Sequence, residues 1–423
     1  MIFGFNANTR MKTLAGALVL GMAAVASAAQ AGTTLVGGGA TLPAIGYGGD
    51  ATHRQITPTS GSFLAVYSAQ SGNPQTSYCQ TGSGAGKNIL AGVSGTSVQN
   101  ACPDGSATPT GFGAAAVGRS DLTQPNFAGA DSPLSAGDYS NYVANRSSSY
   151  PVEFPAVAGA IAIAFNKTGV DSLNLTTPQL CQIFSGQITD WSQISSASGP
   201  IKIVYRSDGS GTTFGFSNHM SAVCSGTASQ HFVTDQAFTN VVAPYFTSGL
   251  PSGWSGQSGN QNVANAVVNT DGTIAYVEAA NASSVLSLYA TIDGKDPFAD
   301  FGGSALPISS SSILYNYVIN GANSSTGRPV TQAISGAPAT QCIALVDPSA
   351  YANPSSGYSI VAVSYLLANS GNNGSDKAAV QKLLWAPYNS TITGAVSTIG
   401  PNTGLSFLST SFTQSQVAGC INN

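Results

Sequence analysis

The segment 205–213, with the sequence YRSDGSGTT, holds the residues best suited to chemistry in this chain. It follows a β-branched run at 201–205 that predicts a strand and precedes 214–222, which predicts a helix. The first N–H groups of a helix lack intrahelical partners and carry partial positive charge, so they favour an anion. The segment therefore predicts an oxyanion site at a strand-to-helix turn.

The individual residues of this segment support the same chemistry. Arg206 offers a fork of charged donors, Ser210 and Thr212 offer hydroxyl groups, and Gly211 lets the backbone approach a ligand closely. The same residues also fit an ordinary capped helix start, in which Arg206 pairs with Asp208. From this segment alone both interpretations stay open.

Composition limits the classes of protein that the chain can belong to. Its 423 residues exceed the roughly 250–300 at which single cores stop growing, so we expect two lobes. The formal net charge is −4, with 13 Lys and Arg in total and no basic cluster. Nucleic-acid binding is therefore excluded as an expectation, because it depends on many cations that neutralise phosphates.

The N-terminal residues have the pattern of a secretory signal. Two basic residues precede the apolar run 14–26, and an Ala-Gln-Ala sequence ends at Ala31. We predict a cleaved signal peptide over 1–31, with Ala28 as an alternative cleavage point. The apolar run is shorter than the ~20 residues that span a membrane. No cysteine lies near the cleavage point, so we expect a periplasmic or secreted protein without a lipid anchor or a transmembrane helix.

The six cysteines fit an exported protein, because an oxidising compartment permits disulfides and the number is even. Sequential pairing closes three local loops: Cys79–Cys102, Cys181–Cys224 and Cys342–Cys420. The sequence alone leaves other pairings open. A metal site is not expected, because no C-x-x-C occurs and the three histidines form no ligand-spaced set.

Three other loops combine small residues with hydrogen-bonding groups. Thr41 and Leu42 follow an apolar strand and a glycine run, and Ser83 lies in a glycine-serine turn before a predicted helix. Asp121 follows an apolar run at 114–117 that predicts a strand. An aspartate at a strand end also suits a plain turn or cap.

The remaining elements alternate between strand and helix. The long apolar run 152–165 predicts a strand covered on both faces, and hence a buried parallel sheet. This alternation predicts an α/β fold. Further predicted strands are 63–67, 272–278, 313–319 and 358–367, and further predicted helices are 177–184, 262–268 and 376–385.

Familiar nucleotide and hydrolase motifs do not occur in the sequence. The glycine turn before residue 89 has Thr81 where a P-loop requires Gly, and Asn88 where it requires Ser or Thr. No G-x-G-x-x-G follows a predicted strand, and no G-x-S-x-G is present. ATP binding and the common serine-hydrolase arrangement are therefore not expected.

Taken together, these segments resemble a known family, the phosphate-binding proteins of the PstS type that serve ABC transporters, and their secreted DING relatives. The similar segments appear in family order and extend from residue 35 to about 280. They are 39–43, 81–86, 120–121, 179–191, 206–212 and 272–278. The Asp-Ile-Asn start that gives the DING group its name is replaced here by Thr33-Thr34-Leu35-Val36.

The resemblance implies an α/β, two-lobed periplasmic binding protein fold, type II-like, in which the chain crosses the hinge twice. Lobe one would comprise 32–151 and 284–423, and lobe two 152–283. Inorganic phosphate would be enclosed between the lobes and delivered to the membrane subunits of an ABC transporter. We expect a monomer with no cofactor, no metal and no catalytic residue.

The resemblance also assigns the phosphate ligands. They are Thr41, the N–H of Leu42, Ser83 and Asp121 from lobe one, and Arg206, Ser210, the N–H of Gly211 and Thr212 from lobe two. Asp208 would hold Arg206 without touching the ligand. The alternative function is a DING-type phosphatase that uses the same pocket.

Asp121 would select the ligand. A carboxylate repels a dianion unless that anion offers a proton, and monohydrogen phosphate has one, whereas sulfate at neutral pH has none. Asp121 would therefore exclude sulfate. Its neighbour Arg119 is expected to face solvent, and the alternative is that it adds positive charge at the rim of the cleft.

Overall fold

A computed structural model describes residues 33–50, 54–96, 111–146, 148–335 and 341–423. Residues Thr33–Asn423 form one compact unit. The predicted signal peptide lies outside the described residues. Within them, no helix is both long enough and apolar enough to cross a membrane.

The strands are numbered in chain order. They are β1 Leu35–Gly39, β2 Arg54–Gln55, β3 Thr76–Gln80, β4 Phe127–Ala130, β5 Pro151–Asn166, β6 Asn174–Leu175, β7 Lys202–Arg206, β8 Ser255–Gln257, β9 Thr273–Glu278, β10 Leu288–Ile292, β11 Ile313–Tyr315, β12 Tyr317–Ala322, β13 Pro329–Ala333, β14 Ala344–Val346, β15 Val361–Asn369 and β16 Leu405–Phe407.

The α-helices are numbered in the same way. They are α1 Ala44–Gly48, α2 Phe63–Ala69, α3 Ser83–Ala91, α4 Ala136–Asn145, α5 Thr177–Phe184, α6 Gly211–Val223, α7 Phe238–Val242, α8 Gly259–Val268, α9 Ala279–Ser284, α10 Lys377–Trp385, α11 Ser390–Thr393 and α12 Gln414–Gly419.

One large sheet organises the described chain. Its path runs β2-β3-β1-β4-β15-β5-β9-β7-β8; β10 and β16 also pair with β5, and β6 pairs with β10. The strand β1 is parallel to β3 and β4, and β7 is parallel to β8 and β9. Within each of these two sets the strands end at a common edge, so the loops that follow them can meet there.

The strand β5 joins the two halves of this sheet. Its residues 151–160 pair with β15 and its residues 161–166 pair with β9. The predicted lobe boundary at 151–152 falls at its start. The other predicted boundary, at 284, falls at the end of α9, and β10 beyond it still pairs with β5 and β6. The division into lobes stays a prediction.

The prediction of a buried parallel sheet around β5 is wrong about the direction of the neighbouring strands. The strand is buried along nearly its whole length, but it is antiparallel to β9, β10, β15 and β16. An uninterrupted apolar run indicates cover on both faces. It carries no information about the direction of the neighbouring strands.

Two other predicted strands are also wrong. Phe63–Ala69 is a helix, and Ala115–Val117 is a single turn of 3-10 helix. Both are short apolar runs, for which periodicity cannot separate a strand from a buried helix. The predicted strand 313–319 is confirmed in type but is interrupted at Asn316, whose φ of 58° ends β11.

The predicted helix 177–184 is confirmed, and its start shows why the sequence specified it. The Thr176 side chain accepts the backbone N–H of Gln179, and the Gln179 side chain accepts the N–H of Thr176 in return. Pro178 lies in the first turn, where a missing N–H costs nothing. The predicted disulfides Cys181–Cys224 and Cys342–Cys420 are also confirmed. The predicted partner of Cys79, Cys102, lies outside the described residues.

Candidate functional site

The loops that follow β1, β3 and β4 face the end of β7 near the middle of β5, because β4 and β7 run in opposite directions on the two halves of the sheet. They bring together Thr41, Ser83, Asp131 and Arg206, each of which is at most 2% exposed. A Cβ atom added at Gly211 would lie 2.4 Å from the Cβ of Asp131 and 2.6 Å from Ser83 Oγ. Only glycine fits there, because the loops approach so closely.

The loops from the two sides of the sheet also contact each other directly. The N–H of Gly84, at the start of α3, donates to the carbonyl oxygen of Gly209 at 3.1 Å. A Cβ atom at Gly82 would lie 2.7 Å from Asp208 Oδ2. The site is therefore enclosed between these loops.

Helix α6 begins inside this enclosure. Ser210 caps it, because Ser210 Oγ accepts the N–H of Thr213 at 3.1 Å. Among the described residues, no protein acceptor meets the N–H groups of Gly211 and Thr212. These donors and the helix dipole favour negative charge at this point.

Arg206 provides the fixed positive charge. Its Nε and one terminal nitrogen donate to Asp208 at 2.7 and 2.5 Å, and the other terminal nitrogen donates to Thr212 Oγ1 at 3.3 Å. Burial alone would lower the pKa of Arg206, but the charge of Asp208 raises it above its usual value. Within the described residues, three of its five N–H donors thus have protein acceptors, leaving two for a ligand.

Asp131 is the carboxylate of this site. Its backbone N–H donates to Ser83 Oγ at 2.9 Å, and Ser83 Oγ lies 3.4 Å from Oδ2. Within the described residues, Asp131 Oδ1 is buried without a hydrogen-bond partner. Burial raises the pKa of Asp131 to about 7, although the Ser364 hydroxyl, the Arg206 charge and the Leu42 N–H lower it. Its proton can therefore be gained or lost near neutral pH.

The loop that follows Asp131 is held by a buried lysine. Lys87 Nζ on α3 donates to Ser132 Oγ at 3.2 Å, to the carbonyl of Pro133 at 3.1 Å and to Asp138 at 2.6 Å. Three acceptors on one short segment restrict its movement. The Asp131 carboxylate therefore has a fixed position.

Asn260, at the start of α8, connects two of the hydroxyl groups. Its Nδ2 lies 3.1 Å from both Thr41 Oγ1 and Thr212 Oγ1. Sequence reasoning missed this residue. An asparagine two residues before the predicted helix 262–268 carries no specific signal.

The structure brings most of the predicted ligands together but not Asp121. Asp121 forms a fork with Arg119, at 2.9 Å for both bonds, and its side chain is 62% exposed. Arg119 also donates to the carbonyl of Thr34, which precedes β1, whereas Thr41 follows β1. Five residues of strand separate these two ends by about 16 Å. Asp121 thus lies at the opposite end of β1 from Thr41, and its predicted placement in the site is wrong.

The expectation for Arg119 is also wrong. It is 4% exposed, because it donates to the buried carboxylate of Asp376 at 2.7 Å as well as to Asp121. The signal for Asp131 was present in the sequence. The apolar strand Phe127–Ala130 ends directly at this aspartate, which is the pattern that had been assigned to Asp121.

Groups that could serve other chemistry lie elsewhere. His219 Nδ1 contacts the carbonyl of Ala352, and His231 Nδ1 contacts that of Thr227. In the part of the chain that the structure describes, no group of three His, Cys, Asp or Glu residues could hold a metal ion.

Comparison with known proteins gives a consistent set of relatives. Residues 51–384 match the PBP superfamily domain. Alkaline phosphatase L of Pseudomonas aeruginosa is 33% identical over 278 residues, which cover 63% of this chain and 61% of that protein. Phosphate-binding protein PstS 3 of Mycobacterium leprae is 31% identical over 196 residues, 44% of this chain and 49% of that protein. The chain thus matches about 60% or less of the length of these curated relatives.

Solved structures extend the likeness over nearly the whole chain. The high-affinity periplasmic phosphate-binding protein PfluDING, solved with bound phosphate, is 25% identical with a TM-score of 0.60 and covers 91% of this chain and 92% of its own. A phosphate-binding protein from Stenotrophomonas maltophilia is 22% identical with a TM-score of 0.60 and covers 92% of each chain.

Proposed function

This chain belongs to the PBP superfamily and has its two-lobed α/β fold, and on that premise we propose that it binds inorganic phosphate as the monohydrogen anion. The ligand is held by Thr41, the N–H of Leu42 and Ser83 on one side. Arg206, Ser210, the N–H of Gly211 and Thr212 hold it on the other. Asp131 takes the selective role that sequence reasoning had given to Asp121.

The observation that supports this proposal best is the pairing of spare donors with one spare acceptor. Arg206 keeps two N–H donors, and the N–H groups of Gly211 and Thr212 lack protein acceptors among the described residues. Opposite them, Asp131 Oδ1 has no hydrogen-bond donor in the part of the chain that the structure describes. An anion that offers several oxygens and one O–H group satisfies both sides.

This arrangement explains why phosphate is preferred over sulfate. Monohydrogen phosphate donates its proton to Asp131, whereas sulfate presents only acceptors to a buried carboxylate. A lost hydrogen bond to a charged group costs about 1.5–3 kcal/mol, and repulsion adds to this cost. We therefore expect a preference of at least about a hundredfold at pH 8.

Calorimetric titration of the purified protein tests the proposal. Phosphate should bind with 1:1 stoichiometry after dialysis removes any retained anion. Sulfate at the same concentrations should give no more than weak heat. Equal affinity for both anions, or no binding of phosphate, would contradict the proposal.

The proposal also includes a role in phosphate transport. The chain is exported by its predicted signal peptide and delivers phosphate to an ABC-type importer. The support is the resemblance to PstS-type proteins and the relative named phosphate-binding protein PstS 3. Deletion of the gene should lower phosphate uptake at low external phosphate, and a variant lacking Arg206 should fail to restore it. Unchanged uptake would refute the transport role but not phosphate binding.

A second candidate function is phosphomonoester hydrolysis in the same pocket. One relative is named alkaline phosphatase L. Ser83 Oγ lies 3.4 Å from the Asp131 carboxylate, whose pKa burial raises to about 7. A serine next to a carboxylate with this pKa has the elements of a nucleophile and a general base.

Hydrolysis of a chromogenic phosphomonoester separates the two functions. If the protein is a phosphatase, Ser83→Ala should abolish turnover. The variant Ser185→Ala serves as the control, because it changes a half-buried serine at the end of α5 whose hydroxyl donates to the Gln182 carbonyl. A wild-type protein that binds phosphate without releasing alcohol from the monoester is a binding protein only.

A further inference from the structure

The side-chain amide of Asn260 joins hydroxyl groups from the two sides of the site. Thr41 follows β1, and Thr212 lies in the first turn of α6. Asn260 Nδ2 is 3.1 Å from the Oγ1 atom of each. The side chain is fully buried, so water cannot replace these contacts.

The orientation of this amide follows from its other contact. Asn260 Oδ1 accepts the backbone N–H of Glu278 at 3.4 Å. A backbone N–H can only donate, so the oxygen of the amide must face Glu278. The NH₂ group therefore faces Thr41 and Thr212, and each hydroxyl must accept from it.

This assignment determines where the hydroxyl protons point. A hydroxyl group has one donor and two acceptor positions. Thr212 Oγ1 accepts from both Asn260 and Arg206, at 3.1 and 3.3 Å, so both of its acceptor positions are used. Its own proton must point elsewhere. Thr41 Oγ1 likewise accepts from Asn260 and keeps its proton free.

We propose that Asn260 is a positioning residue that turns the Thr41 and Thr212 hydroxyl protons toward the bound anion. The inference rests on the proposed phosphate-binding function and deepens it. Without Asn260, both hydroxyls can rotate and donate to other acceptors. With it, they are oriented as donors before the ligand arrives, and the cost of ordering them on binding is lowered.

The environment of Asn260 makes an acceptor at this position unfavourable. Asp208 accepts the N–H of the preceding residue, Gly259, at 3.1 Å. Glu278 is fully buried beside Asn260. A carboxylate at position 260 would accept from both hydroxyls and would add charge next to existing acidic groups. It would thus turn the two protons away from the ligand.

The primary test compares Asn260→Asp with Asn260→Ala by phosphate calorimetry. We expect a loss of affinity of about tenfold for the alanine variant and at least about a hundredfold for the aspartate variant. Asn281→Ala is the matched control, because Asn281 is equally buried but its Nδ2 donates to Gln261. It should retain wild-type affinity. Equal losses in the alanine and aspartate variants would overturn the inference.

A variant cycle separates positioning from a general structural role. In a Thr41→Val, Thr212→Val background the hydroxyls are absent, so Asn260→Ala should cause no further loss of affinity. A full tenfold loss in that background would overturn the inference. If the wild-type protein binds no phosphate, the proposed function itself fails, which is a distinguishable result.

A crystal structure of the wild-type phosphate complex covers the case in which the Asn260 variants do not fold. Asn260 Nδ2 should stay within hydrogen-bond distance of both threonine oxygens, and both oxygens should contact the anion. An Asn260 amide that contacts phosphate directly, or that has left the hydroxyls, would overturn the inference.

Discussion

The tripeptide Arg-Ser-Asp occurs at 119–121 and again at 206–208, and both copies form the same local structure. In each, the arginine makes a two-bond fork to the aspartate two residues later. Both arginines are buried, at 4% and 1% exposed. The local sequence therefore specifies the fork but does not specify a function.

The surroundings of the two forks differ. Arg119 also donates to the Thr34 carbonyl and to Asp376, so four of its five N–H donors have acceptors among the described residues. Arg206 retains two donors beside a helix N-terminus. The fork at Arg119 therefore stabilises the packing at the start of β1, and the fork at Arg206 retains N–H donors that can bind an anion.

The two aspartates near these forks show the same contrast. Asp121 is exposed, and its pKa is lowered mainly by the hydrogen bonds from Arg119. Asp131 is buried, and burial raises its pKa to about 7. A carboxylate becomes selective for a protonated anion only where water cannot reach it and one of its oxygens has no protein donor.

Removing each arginine should give the largest contrast. Arg206→Ala should lower phosphate affinity on the order of a thousandfold, because it removes a buried charge and two ligand donors. Arg119→Ala should lower stability while changing affinity by less than about threefold. Titration calorimetry and thermal unfolding measure both quantities. A large affinity loss in Arg119→Ala would show that the forks are not functionally distinct.

Of the two aspartates, only Asp131 should change the selectivity between anions when it is neutralised. Asp131→Asn should lower the preference for phosphate over sulfate by about a hundredfold, because an amide can donate to sulfate. Asp121→Asn should leave the preference unchanged. Competition between the two anions measures it, and a changed preference in Asp121→Asn would restore the original assignment.

The pH dependence of sulfate binding should follow the proton on Asp131. Protonated Asp131 can donate to sulfate, and ionised Asp131 repels it. Sulfate affinity should therefore be level below the pKa of about 7 and fall about tenfold per pH unit above it. Asp131→Asn should remove this dependence between about pH 6 and 9, the range that spans the pKa of Asp131. A wild-type profile that stays flat would contradict the assignment.

The smallest effect should come from the exposed partner of the first fork. Asp121→Asn should change the free energy of unfolding by less than about 1 kcal/mol, because exposed ion pairs contribute little. Asp376→Asn should cost more, since Asp376 is buried against Arg119 and Asn126. Urea unfolding compares the two. Equal losses would show that both carboxylates are structurally equivalent.

The sequence identified the anion loop because its signals are local. The end of the strand, the arginine, the cap and the glycines lie within nine consecutive residues at 205–213, and the predicted helix is confirmed as Gly211–Val223. The buried runs were also recognised, because a long apolar run indicates burial whatever the topology of the sheet. The direction of the strands beside β5 was not recognised, because it depends on connections far away in the sequence.

The choice between Asp121 and Asp131 shows a second limit of prediction from the sequence. Each follows a short apolar run, and the first also has an arginine and a serine that match the second copy of the tripeptide. Only the tertiary structure shows that the residues before Asp121 form a 3-10 turn, whereas Phe127–Ala130 is a central strand. Asn260 depends on contacts to Thr41, 219 positions away, and could not be found locally.

Anomalous scattering from crystals soaked in arsenate can show directly where the anion binds, because arsenate keeps the proton and shape of phosphate. We expect one arsenic peak enclosed by Ser83, Asp131 and Arg206, with an arsenate oxygen within hydrogen-bond distance of Asp131 Oδ1. A peak beside Arg119 and Asp121, or an enclosed arsenate that does not contact Asp131, would contradict this expectation.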